Sequence, residues 1–214
     1  MARKVRSARA KAVRWQRQRG VHWQRQRGVA LVVALVVLTA VLALAVVAAM
    51  AAVSGERAAR YERDHAIALA AAEAALYDAQ RDIEGGADPL SSRASLFNGA
   101  AGFVEGCGRS ADANAGLCAD TGLHPAWELV DLTSDSDAAH TVPYGAFTGA
   151  ALPTGAGALP CCLPRYVIEP VTIVHAGESA GPAASHAYRI TTIGYGAQRT
   201  TQVALQAIYR RAAP

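Results

Sequence analysis

Four cysteines, Cys107, Cys118, Cys161 and Cys162, are the residues whose type and spacing most directly imply chemistry. Cys107 and Cys118 enclose ten residues in GCGRSADANAGLC, which reads as a loop stapled by a disulfide. A bridge of that span stabilises by about 2–3 kcal/mol in the chain-entropy picture. Four cysteines allow three pairings. Cys107–Cys118 is the favoured one, leaving Cys161 and Cys162 as a strained vicinal bridge or as free thiols. The alternative is two long bridges tying the 107–118 loop to 161–162. Zinc is not expected, because neither a C-x-x-C pair nor histidines at ligand spacing occur. The usual dithiol redox spacing, C-x-x-C, is absent too.

Other polar clusters read as surface. Glu128, Asp131, Asp135 and Asp137 form an acidic run, but the spacing and glycine of a calcium-binding loop are missing, so a solvated loop is expected. Histidines 65, 124, 140, 175 and 186 are scattered. No G-x-S-x-G, phosphate-binding loop or H-E-x-x-H pattern appears. The expectation is a protein that is not an enzyme, with no catalytic residue, no metal and no cofactor.

The burden then falls on the elements. Residues 1–28 hold ten of the 21 Lys and Arg and none of the 17 acids. The rest carries 11 basic against 17 acidic residues, a net of −6. A pI of about 9.0 therefore describes a leader, and the body has no basic patch with which to bind nucleic acid. From Val29 to Val53 the chain runs 25 residues without a charge, and Thr39 is the only hydroxyl. As a helix this is about 37 Å long against a hydrocarbon core of about 30 Å. The arginines before it and Glu56 after it orient it with residues 1–28 cytoplasmic, which puts the cysteines where disulfides form. Ala49-Met50-Ala51 fits a signal-peptidase site formally, but the apolar run is too long for a cleaved signal.

The leader meets the apolar run at Arg27-Gly28-Val29-Ala30-Leu31-Val32-Val33. This resembles the type IV prepilin signal. The resemblance implies cleavage after Gly28 by a prepilin peptidase and methylation of the new N-terminus, Val29. A cut there removes the charges that fix the helix in the membrane, so the helix can pass into a filament. Most pilins carry glutamate as the fifth mature residue, and here that position is Val33. The departure implies a minor, tip-proximal or initiating subunit. Trp15-Gln-Arg-Gln-Arg-Gly-Val21 recurs as Trp23-Gln-Arg-Gln-Arg-Gly-Val29, but no apolar run follows Gly20, so the first copy reads as a local duplication or an over-long start.

Past Gly55, which loosens a helix, the sequence stays rich in Ala, Glu, Arg and Leu without proline until residue 89. Leu69, Leu76 and Ile83 recur every seven residues with Ala72 and Ala79 between them, a stripe suited to docking on a sheet. Glu56 and Arg60 are spaced to pair, and Gly85-Gly86 ends the helix. The stretch from Arg63 to Ala79, RDHAIALAAAEAALYDA, looks like the RDR-x-A-x-x-AAEAALRDAE block of PilX-type minor pilins. Residues 87–163 read as loop-rich, with one strand at Trp127–Leu132. Arg165–His175, His186–Gly194 and Thr200–Arg210 read as strands, with a turn over Gly194-Tyr195-Gly196-Ala197. PRYVIE, YRITTIGYG and VALQAIYRR resemble the C-terminal part of the same family.

The expected fold class is α+β and pilin-like: one long helix, half transmembrane and half amphipathic, packed on a C-terminal antiparallel sheet. The expected organisation is a cleaved leader at 1–28, a membrane and filament-core helix at 29–53, an amphipathic helix at 54–86, a variable region at 87–163 and a sheet region at 164–214. The resemblance implies a minor pilin in type IV pilus assembly, in the inner membrane of a Gram-negative bacterium and then in the pilus. Its implied partners are the major pilin and other minor pilins, the prepilin peptidase, the assembly platform and a tip adhesin. The alternatives are a type II secretion pseudopilin and a signal-anchored periplasmic binding or scaffold protein.

Overall fold

The structure, a computed structural model, describes residues 28–86, 93–98, 102–110, 112–119, 122, 124–136, 138–172 and 186–211. The leader up to Arg27, Asp137 of the acidic run and residues 173–175 of the first expected strand lie outside them. The chain divides into two units, Met1–Val53 and Ser54–Pro214.

Helix α1 runs Val29–Glu84. Alanine and leucine supply propensity, and proline is absent. In the first unit every residue from Gly28 to Val53 is exposed. The one hydroxyl, Thr39, donates to its own helix at the Val36 carbonyl, 2.9 Å away. The hydroxyl is thus satisfied within the helix, and from Val32 on the backbone amides bond along it, as lipid requires of a spanning segment.

In the second unit, α1 turns a face to a four-stranded antiparallel sheet in the order β1-β2-β3-β4, with β1 Val142–Pro143, β2 Arg165–Thr172, β3 His186–Tyr195 and β4 Gln202–Arg210. Ile168 pairs with Ile190 and Ile193 with Ala204. The core joins Ala75, Ala79 and Ile83 of the helix to Tyr166, Ile168, Tyr188 and Ile190 of the sheet. The expected leucine stripe needs correcting. Leu69 and Leu76 are only half-buried, and the buried line is Ala68, Ala71, Ala72, Ala75, Ala79 and Ile83. Small side chains win because the backbones almost touch. A Cβ on Gly194 would lie 2.3 Å from the Ala68 carbonyl oxygen and the Ala72 nitrogen. The Thr192 hydroxyl donates to the Ala72 carbonyl at 3.1 Å. Leucine on that line would force the layers apart.

The helix stops at Gly85-Gly86. Gly86 has φ +62° and donates back to the Arg81 carbonyl at 2.6 Å, a left-handed cap that glycine adopts without strain.

Two further expectations change. Residues 127–129, expected as the start of a strand at Trp127–Leu132, belong instead to a single turn of helix, α2, Ala126–Leu129. Pro125 opens it, and the Ala126 amide donates to the buried Glu169 carboxylate at 2.6 Å, a bond that an extended strand would misplace. The β3–β4 turn lies later than expected, because Gly194 and Tyr195 belong to β3 and the turn spans 196–201. Gly194 serves close helix packing there, not a change of direction. The loop-rich region supplies an edge strand, β1, and the segment 116–118, which bonds to Ile168 of β2 through both its amide (to Gly116 O, 2.8 Å) and its carbonyl (from Cys118 N, 2.9 Å).

Candidate functional site

The junction residues stand at the start of α1. Gly28 is exposed, Val29 is the first helical residue, and Val33 lies one turn further with 55 % of its surface exposed. Fifteen large apolar side chains between Val29 and Val53 are exposed. The segment carries no ionisable side chain, so it can perform no proton transfer and hold no ion. What it can do is partition into lipid or pack against other apolar helices. Water is a poor solvent for it, because burial is worth about 25 cal/mol per Å² of apolar surface, and soluble monomers rarely expose a patch of this extent.

The unit starting at Ser54 has polar locks. Asp82, on the alanine face of α1, accepts from Arg93, Nε to Oδ1 at 3.0 Å and to Oδ2 at 3.1 Å and Nη2 to Oδ2 at 2.6 Å, and both residues are buried. Tyr166 of β2 donates its hydroxyl to Asp82 Oδ2 at 2.9 Å. Arg93 Nη1 donates to the carbonyls of Ala113 and Ala115, and the guanidinium lies 3.7 Å from the Phe147 ring centroid. Helix, stapled loop and sheet thus meet at one charge pair. Burial, with the Asp82 charge beside it, pushes the Tyr166 phenol well above its ordinary range, so it stays protonated and donates. One turn back, the buried Asp78 accepts from the Gly145 amide at 2.7 Å and from the Thr148 hydroxyl, which fixes the 143–149 turn. Asp64 accepts the Ala197 amide at 2.5 Å, and the Thr201 hydroxyl leads the bonds that hold its carboxyl below the usual range.

Asp78, Asp82, Arg93 and Glu169 were not among the candidates drawn from the sequence. Asp78 and Asp82, four apart on a face otherwise lined by alanine, are a signal that could have found two of them. Carboxylates on a buried helix face must be paired.

Of the cysteines, Cys107 and Cys118 form a disulfide, and both are buried. Cys107 has φ +67°, and the loop is further closed by Gly116 N donating to Gly108 O at 3.0 Å. Of the two outcomes left open for Cys161 and Cys162, the structure has free thiols: they are bonded neither to that pair nor to each other, and both are half-buried. Burial, then the hydrogen bond with Cys162, pushes the Cys161 thiol up to about 11.

The described members of the acidic run, Glu128, Asp131 and Asp135, each have a protein partner. Asp131 accepts from Thr133 within its own turn, Asp135 pairs with Arg199 at 2.9 Å, and Glu128 lies 3.4 Å from His124. His140 Nδ1 sits 2.8 Å from the Cys107 carbonyl. His65 contacts the Tyr61 ring at 6.2 Å between centroids, and His175 lies outside the described residues. The structure brings none of these histidines and carboxylates into one cluster among the described residues.

Residues 27–76 match the family model for the PilX N-terminal region, and residues 109–211 match that for the C-terminal region of the type IV pilus assembly protein PilX. Comparison with curated proteins and with solved structures returned no match. The two matched regions lie in the order and at the places where the apolar helix and the sheet occur, and together they take in well over half of the chain. It belongs to the PilX family and is a minor pilin of type IV pilus assembly.

Proposed function

We propose that this minor pilin acts in the complex that starts or tips the pilus and that it works structurally, not as an enzyme. Its apolar helix, Val29–Val53, is held first in the inner membrane of a Gram-negative bacterium, with the chain after Val53 on the periplasmic side. The leader is removed after Gly28 by the prepilin peptidase, and Val29 is methylated. The freed helix then enters a bundle of like helices contributed by the major pilin and other minor pilins, driven by the assembly platform, with an adhesin as a neighbour at the tip. In this reading 1–28 is leader, 29–53 filament core, 54–86 docking helix, 87–163 variable surface and 164–214 sheet.

The observation that carries the reading is the exposed, charge-free helix from Val29 to Val53. Val33 supports the tip position. A glutamate there would pair with a neighbouring subunit's N-terminal amine, because an unpaired charge in an apolar bundle is costly. A helix with valine lacks that pairing and suits a place occupied once over one repeated along a shaft.

Gly28→Ala tests the junction. The expected outcome on an immunoblot of membranes is a band retained at the mass of the leader-bearing chain, with few or no pili. Processing at the wild-type rate with normal piliation would show that the junction lies elsewhere.

A further inference from the structure

The segment 160–164, Pro-Cys-Cys-Leu-Pro, leads directly into β2. A proline at each end fixes its own φ near −65° and restricts the residue before it. The Cys161 amide donates to the Gly196 carbonyl at 2.8 Å, which ties the segment to the β3–β4 turn. That same turn is held to α1 through Asp64 and Ala197. The two thiols are therefore carried on a braced backbone, and their sulfurs lie 2.8 Å apart. Unbonded carbon atoms rest at about 3.5–4.0 Å, and sulfur is larger. A covalent S–S bond is about 2.03–2.05 Å. The pair is thus closer than unbonded sulfurs settle and needs only a small approach to bond. Both residues are half-buried, which leaves them open to a reagent.

We infer that Cys161 and Cys162 are a modification site that closes to a vicinal disulfide once the chain is exported, separate from the structural Cys107–Cys118 bridge. The inference rests on the export reading above, because an oxidant of the disulfide class acts on that side of the membrane. One thiolate attacks the oxidant's disulfide and forms a mixed disulfide. The other cysteine's thiolate then attacks that sulfur, joining Cys161 Sγ to Cys162 Sγ and releasing the oxidant as a dithiol. Two S–H bonds are lost and one S–S bond is gained; the two electrons and two protons pass to the oxidant. The resulting ring would be half-exposed whereas the Cys107–Cys118 bridge is buried, so it is the more easily reached and reduced of the two. Exposed and strained disulfides are the labile, regulatory ones. Its opening and closing changes the segment that holds the β3–β4 turn.

Full-length protein extracted from membranes, denatured without reductant in excess N-ethylmaleimide, gives the test by intact mass and peptide mapping. The expected result is no alkylated cysteine, with the 161–162 peptide lighter by two hydrogen atoms than its dithiol form. On graded dithiothreitol treatment of the native protein, residues 161 and 162 become alkylated at lower reductant than 107 and 118. Alkylation at 161 and 162 beside an intact Cys107–Cys118 bridge overturns the inference and leaves export standing. Alkylation of all four overturns both. A cross-link from either residue to a second chain, or to Cys107 or Cys118, also overturns it.

Discussion

Arg93 is the single side chain on which most of the second unit converges. It is buried with Asp82, and removing it leaves a carboxylate in a site that water does not reach. Breaking one side of a buried pair costs about 3–5 kcal/mol. Arg93→Ala is therefore expected to lower the unfolding free energy of the detergent-solubilised chain, read from denaturant titration, by that amount, whereas the Asp82→Asn, Arg93→Met double variant loses much less. Equal losses in both would mean that packing and not the stranded charge sets the cost. Cys161 gives a pH dependence. In the reduced protein its thiol is held at about 11 against an ordinary 9.0. The unfolded thiol ionises first, so this group's contribution to stability is whole below about pH 9 and fades towards pH 11. Iodoacetamide should accordingly label Cys161 slowly at pH 8 and rapidly only near pH 11; a rate that levels off by pH 9 would show that burial does not govern it. The Asp82–Arg93–Tyr166 lock was not legible in the sequence for a physical reason. Arg93 reaches its partners across 11, 20 and 22 residues and Asp82 reaches Tyr166 across 84, and local pattern carries no information on such pairings.

At the scale of elements, the helix–sheet contact is made by small residues. Gly194→Ala places a Cβ 2.3 Å from two backbone atoms of α1, which cannot yield as a side chain would. The expected loss is about 1–3 kcal/mol or more, read as a lower midpoint for thermal unfolding of the full chain in detergent. Gly55→Ala is the counterpart. A Cβ there meets nothing within 4 Å, and alanine is the better helix former by about 1 kcal/mol, so amide exchange around residue 55 should slow about five-fold. An unchanged midpoint for Gly194→Ala would show that the sheet and helix do not touch there. The apolar helix, the glycine stop and the C-terminal strands were legible because each is written in a local run. These are the charge-free 29–53, the Gly85-Gly86 pair, and the β-branched and aromatic residues of 165–172, 186–195 and 202–210. The leucine stripe misled because heptad spacing marks an apolar face without saying how near the sheet will come. Alanine becomes the centre of the contact only once Gly194 has removed a side chain from the other layer. The turn of α2 was hidden for a similar reason, since its stabilising acceptor, Glu169, is 43 residues from Ala126.

As a whole molecule, this minor pilin has an uncharged, exposed helical segment and a unit built on an antiparallel sheet. The family match covers both that helix and the sheet region. The polar locks brace the second unit, and in the proposed function the helix takes part in assembly by apolar packing. The claim that joins the two is that the basic leader ends at Gly28. Mass spectrometry of the N-terminal peptide from the chain purified out of sheared pili tests it directly. The account predicts a peptide starting at N-methylated Val29. A peptide starting at Met1, or at Ala52 after the Ala49-Met50-Ala51 site, would contradict it.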